Sequence, residues 1–260
     1  MKNGLLIVLF IFSVLSACKD KDVSTPIESV NALDTMTNFV GLVIPKEGSL
    51  DISLTHFYAS KPLVLNTDIY VNAANDTFNV EELRYYFTNL SLQKADGSWI
   101  NLKNYQLIDF KTPQTSSFTI NKIPAGHYKS LRFYLGVDSL NNTSGLQEGA
   151  LDPSWGMFWT WNSGYIFYRI MGRNPNTGRT FSFDLGGNEN LPLIVADLNS
   201  FKLKKQQVKL SLKMDINEMF QNPMVYSFVS DGYAIHTNTA SGAHKLAANM
   251  NDMVSVSNIE

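Results

Sequence analysis

Apolar and polar residues alternate with a period of two along much of the chain. Leu50-Ile52-Leu54, Leu131-Phe133-Leu135, Phe181-Phe183-Leu185 and Val208-Leu210-Leu212-Met214-Ile216 each skip one polar or mixed position. That spacing predicts strands with one buried face. Asp96-Gly97, Pro124-Ala125-Gly126 and Asn174-Pro175-Asn176 supply turn chemistry between such runs. Strands that bury one face each are satisfied when two sheets pack face to face, so the expected fold class is all-β, an antiparallel two-sheet β-sandwich. Helix is sparse. Asn79-Val80-Glu81-Glu82 has capping-box spacing and predicts one helical turn before a strand over about 84–93. Ala243, Leu246, Ala247 and Met250 fall at i, i+3, i+4 and i+7, which predicts one short C-terminal helix over 241–251, with a last strand over 254–257 closing the sheet.

The first residues follow another logic. Lys2, the apolar run Leu5 to Val14 and then Leu15-Ser16-Ala17-Cys18 have the form of a secretion signal ending in a lipobox, too short to span a membrane. The expected organisation is a lipoprotein signal peptide over 1–17, a flexible tether over 18–45 and one β-sandwich domain over 46–260. Cys18 is the single cysteine, so its expected role is lipidation and no intrachain disulfide can form. Lys19-Asp20-Lys21-Asp22 reads either as a surface-export address or as a solvated linker. The expected location is the bacterial cell envelope, with the chain lipid-anchored at the outer membrane on its periplasmic face or at the cell surface.

Composition narrows the function classes. A net charge of −2 and a pI of 6.1, with scattered Lys and Arg, provide no basic field for nucleic acid. G-x-S-x-G, H-E-x-x-H and P-loop signatures are missing. A binding protein is therefore expected rather than an enzyme, with no catalytic residues assigned.

The segment from Gly149 to Gly172 holds three of the four tryptophans, Trp155, Trp159 and Trp161. Large rigid rings beside glycines make either a dense corner of a core or a binding surface. In the second reading Trp155, Trp159, Trp161 and Tyr165 form a platform for a glycan or a protein partner. Of the four histidines, His56 continues the inward series Leu50, Ile52, Leu54, so it is either a hydrogen-bonded core histidine or a metal ligand. His236 ends a short strand-like run from Tyr233, within reach of a loop-built site. His127 and His244 are expected on the surface, and Met157, Met171, Met250 and Met253 in the core.

A resemblance adds to this reading. GVDSLNN at 136–142 and GALDPSWGMFWTWNSGYIF at 149–167 resemble the MbnP-like copper-binding family of periplasmic or surface lipoproteins. LTHFYASKPLVLNTDIYVN, VEELRYYFTNLSLQ, FDLGG and AANMNDM are similar to its opening and closing motifs, so the resemblance covers roughly residues 49–255. It implies copper as the ligand and envelope copper acquisition or handling as the role. It also implies a metal site at His56, with Asp184 and His236 as the next candidates. In relatives a tryptophan is oxidised to kynurenine by a di-haem enzyme of the cytochrome c peroxidase type, which makes Trp159 and Trp161 candidates for that modification and such an enzyme a candidate partner. The chain departs from the pattern in two places. Asp184 stands where the family has histidine before the hydrophobic-Gly-Gly, and the histidines expected after AANMNDM are absent. A carboxylate in place of imidazole shifts a site toward harder ions or weaker copper affinity.

Overall fold

The computed structural model of the chain describes residues 47–159, 164–204, 207–237 and 239–260. The segments expected as signal peptide and tether, with Cys18, and Trp161 lie outside the described residues. Fifteen strands appear among them: β1 (Glu47–Tyr58), β2 (Lys61–Pro62), β3 (Tyr70–Val71), β4 (Thr77–Lys94), β5 (Trp99–Asn101), β6 (Tyr105–Asp109), β7 (Ser117–Pro124), β8 (Gly126–Leu135), β9 (Phe158–Trp159), β10 (Gly164–Arg173), β11 (Thr180–Gly186), β12 (Leu193–Leu203), β13 (Gln207–Asp215), β14 (Ala234–Ile235) and β15 (Val254–Ile259). The helices are short: α1 (Ser139–Thr143), α2 (Phe228–Asp231) and α3 (Ser241–Asn249).

The strands form two sheets. The smaller runs β15-β13-β1-β2 with β7 also on β1, and the larger runs β12-β8-β4-β10-β11-β14 with β3, β5 and β6 on β4 and β9 on β10. Each alternating run named above becomes a strand with its apolar members inside. Leu50, Ile52 and Leu54 of β1 and Leu210, Leu212 and Met214 of β13 share one core with Leu131, Phe133 and Leu135 of β8 and Phe181, Phe183 and Leu185 of β11.

The all-β sandwich and the C-terminal helix match expectation, and the antiparallel expectation needs a correction, because the sheets are mixed. β1 and β13 pair in parallel from Ser49↔Gln207 to Phe57↔Asp215, as do β11 and β14. Neither pair is joined by a tight turn, and only a hairpin forces neighbours to run antiparallel. The helical turn expected at Asn79 is absent as well. Asn79 lies inside the 18-residue β4. Its Oδ1, the atom a cap would use, accepts from Arg173 N across the sheet, and its Nδ2 donates to Asn66 O.

The larger sheet is covered on both faces. Tyr85 and Phe87 of β4 point into the main core, while Tyr86 between them joins a second cluster of Leu107, Val137, Leu151, Met157, Trp159, Tyr165, Ile166 and Phe167. The chain from Gly149 to Trp159 thus packs across the outer face, the one turned away from the smaller sheet. Asp152 starts its second turn by accepting from Ser154 N, and Gly156 ends that turn at φ +71°.

Candidate functional site

Polar chemistry concentrates on that outer face, because residues that alternate with the inward Leu83, Tyr85, Tyr168, Ile170, Phe183 and Leu185 must point there. Arg169 lies opposite Asp184 in the β10–β11 register and opposite Arg84 in the β10–β4 register. Its Nε donates to Asp184 Oδ1 at 2.6 Å and its Nη2 to Oδ2 at 2.9 Å, a bidentate pair. Nη1 donates to Gly156 O at 3.2 Å and lies 4.0 Å from Glu82. The bonds to Asp184 foremost, with the charges of Asp184 and Glu82, raise the guanidinium above its ordinary pKa against the opposing effect of burial. Arg84 donates through Nη2 to Trp155 O at 2.6 Å. Two arginines therefore tie the 149–159 strap to the sheet through its backbone carbonyls.

His236 follows β14, and its Nδ1 lies 3.4 Å from Asp184 Oδ2. The imidazole is 48% exposed, whereas the Asp184 side chain is 9% exposed. The structure thus brings together two of the three residues proposed for a metal site. His56 is elsewhere. It is 6% exposed on the inner side of β1, with Nε2 2.8 Å from the Tyr85 hydroxyl and the Phe110 ring edge-on at 4.9 Å. Burial pushes the imidazole from 6.5 down to about 4. Asp184 belongs to the outward set of β11 and His56 to the core side, so the body of the larger sheet separates them.

The tryptophan platform also divides. Trp159 is 5% exposed and Tyr165 is fully buried, donating from its hydroxyl to Leu151 O at 2.7 Å. Trp155 is 53% exposed. Its Nε1 donates to Gly149 O at 2.8 Å, which fixes the ring. His127 and His244 are exposed as expected, and Met157, Met250 and Met253 are buried, whereas Met171 is only half-buried because it alternates with the inward Ile170 on β10.

The family model for MbnP matches residues 47–238. The chain belongs to the MbnP family. Among solved structures, MbnP from Methylosinus trichosporium aligns at 16% identity with a TM-score of 0.51, over 82% of this chain and 100% of that one. At that identity the match shows the fold alone. No curated protein matches the chain.

Among the described residues no group of three or more His, Cys, Asp or Glu side chains is gathered for a metal. Asp184 and His236 present one carboxylate and one half-exposed imidazole, an N,O donor pair suited to Cu(II). Both oxygens of that carboxylate already accept from Arg169, so an incoming ion competes with a guanidinium for them. The sequence reading missed Arg169, Arg84 and Asp109, whose importance lies in pairing across strands. Of these, the Arg169–Asp184 pair is the one a hairpin argument could have found. The turn at Asn174 to Gly178 sits midway between its two members.

Proposed function

We propose that this MbnP-family chain is a lipid-anchored binding protein of the bacterial envelope that handles copper, rather than a catalyst. The observation that carries the metal part is the approach of His236 Nδ1 to Asp184 Oδ2, 3.4 Å, at the solvent edge of the larger sheet. Two protein donors with open positions make an exchangeable Cu(II) locus suited to passing an ion on, not to storing it. The lipobox at Cys18 supports the envelope location, and the absence of enzyme signatures in the sequence supports a binding role. Tryptophan oxidation by a di-haem partner belongs to the same reading. Peptide mass spectrometry on protein from its native envelope tests it, since conversion of tryptophan to kynurenine changes the mass of the peptide that carries it.

Calorimetric titration with Cu(II) tests the locus. The wild type is expected to bind and His56→Ala to bind alike, while His236→Ala loses most of the heat. Binding should weaken on acidification, because a ligating imidazole must shed its proton. An isotherm unchanged by His236→Ala, or no heat from the wild type, would sink this reading.

A further inference from the structure

The outer face carries a second feature, which the copper reading does not use. A groove of about 450 Å³ opens between β6, the turn Pro113–Ser116 and the strap, lined by Arg84, Tyr105, Leu107, Asp109, Thr115 and Trp155. That volume falls within the range of roughly 300–1,000 Å³ typical of small-molecule sites.

Three properties fix the chemistry of an occupant. First, Trp155 is exposed yet held at two points, by Nε1 on Gly149 O and by Arg84 on its own carbonyl. Its N–H is already spent on the protein, so the ring offers a ligand only its apolar face, pre-set at little entropic cost. Second, Arg84 and Asp109 form a pair, with Nε 3.5 Å from Oδ2, and their charges cancel. An anion would compete with Asp109 for the guanidinium and a cation with Arg84 for the carboxylate, so the pair favours an uncharged ligand. The Arg84 Nε is buried with no hydrogen-bond partner among the described residues, and the Asp109 side chain is 26% exposed. A planar donor beside a planar acceptor suits neighbouring hydroxyls, which accept from one and donate to the other. Third, the Tyr105 hydroxyl is taken up by Asn89, Asp138 and Asn141, and Thr115 Oγ1 by Asp109 and Thr112 backbone groups. With Leu107, these residues act as wall rather than as readers of polarity.

The matching ligand has one apolar C–H face and a rim of neutral hydroxyls. We propose that this groove binds a neutral pyranose ring stacked on Trp155, with adjacent hydroxyls held by Arg84 and Asp109. The ring is either a free sugar or the terminal unit of a glycan.

Titration of the folded protein with the methyl glycosides of glucose, galactose and mannose, and with cellobiose and maltose, tests the proposal by saturation-transfer NMR and calorimetry. At least one neutral probe is expected to bind saturably, with transfer strongest to the protons of one sugar face. Trp155→Ala should weaken it about tenfold or more at an unchanged thermal midpoint, as loss of one stacked ring implies. Asp109→Asn should weaken the same probe. Tighter binding of a disaccharide than of the matching methyl glycoside identifies a glycan, and equal binding a free sugar. The proposal is overturned if no neutral probe saturates, if glucuronate binds and the neutral sugars do not, or if Trp155→Ala leaves affinity unchanged. Cu(II) binding to Trp155→Ala should match the wild type, so this reading and the copper reading can fail separately.

Discussion

Tyr85 and His56 meet inside the core, hydroxyl to Nε2 at 2.8 Å, where burial favours the uncharged form of both. Desolvation holds the tyrosine well above its ordinary pKa and the histidine near 4. The unfolded chain takes up a proton on this imidazole near 6.5, while the folded chain resists until about 4. Between those values the unfolded state binds more protons, so stability rises with pH through the window and is lost as pH falls. The shift corresponds to roughly 3 kcal/mol. Thermal midpoints between pH 7.5 and 4.5 should therefore fall more steeply for the wild type than for His56→Gln, which cannot titrate. Parallel slopes would show that the histidine protonates without cost.

The two described tryptophans of the strap predict opposite responses. Trp159 is buried in the outer-face cluster, and a Cβ added to Gly186 would come within 2.7 Å of its ring. Trp159→Ala should cost on the order of 3–5 kcal/mol. Trp155→Ala, at an exposed ring, should stay within about 0.5 kcal/mol of wild type. Urea unfolding of both variants checks the contrast, and equal losses would mean that the strap depends on Trp155 for more than its groove.

Strand phase was legible because a half-buried strand writes its burial directly into period-two alternation, as Leu50-Ile52-Leu54 and Phe181-Phe183-Leu185 show. The partners of those strands were not. β1 and β13 are far apart in sequence, and nothing in either says that they lie side by side in parallel. The same division applies to the site. The inward direction of His56 followed from its own strand. The meeting of Asp184 with His236 depends on β14 docking beside β11, a pairing across about fifty residues that no local pattern encodes. Asn79 misled because a capping box and a cross-strand asparagine look alike until the strand partner is known.

Close approach of backbones makes Gly172 irreplaceable. It sits where the β10–β4 register shifts, and a Cβ there would lie 1.9 Å from Asn79 O and 2.7 Å from the Phe181 ring. A carbonyl in a sheet cannot swing aside as a side chain can. Gly172→Ala is expected to lose at least about 3 kcal/mol, near the upper end for overpacking, and to accumulate in the insoluble fraction on expression. A soluble variant with a wild-type midpoint would contradict the register.

Lipidation at Cys18 is tested by location. The lipobox predicts that the full-length chain expressed in a Gram-negative host fractionates with membranes and incorporates a fatty-acid analogue. Cys18→Ala should move it to the soluble fraction and abolish labelling. A wild-type chain that takes up no label would remove the anchor from the proposal.

Arg169 serves two ends that pull apart, and this allows Asp184 to be assigned a role. As a structural group, the guanidinium neutralises a nearly buried carboxylate and pins the strap through Gly156 O. Removing it by Arg169→Gln leaves that charge short of partners, which costs roughly 3–5 kcal/mol for a fully buried pair and less here, where the arginine side chain is 19% exposed. As a competitor, the same guanidinium occupies both oxygens that a Cu(II) ion beside His236 would need. Arg169→Gln should therefore bind Cu(II) more tightly than the wild type while unfolding at a lower temperature, and Arg169→Lys, which keeps the charge but not the bidentate geometry, should fall between them on both measures. A variant that loses stability with no gain in copper affinity would show that Asp184 serves as an anchor for Arg169 and takes no part in holding metal.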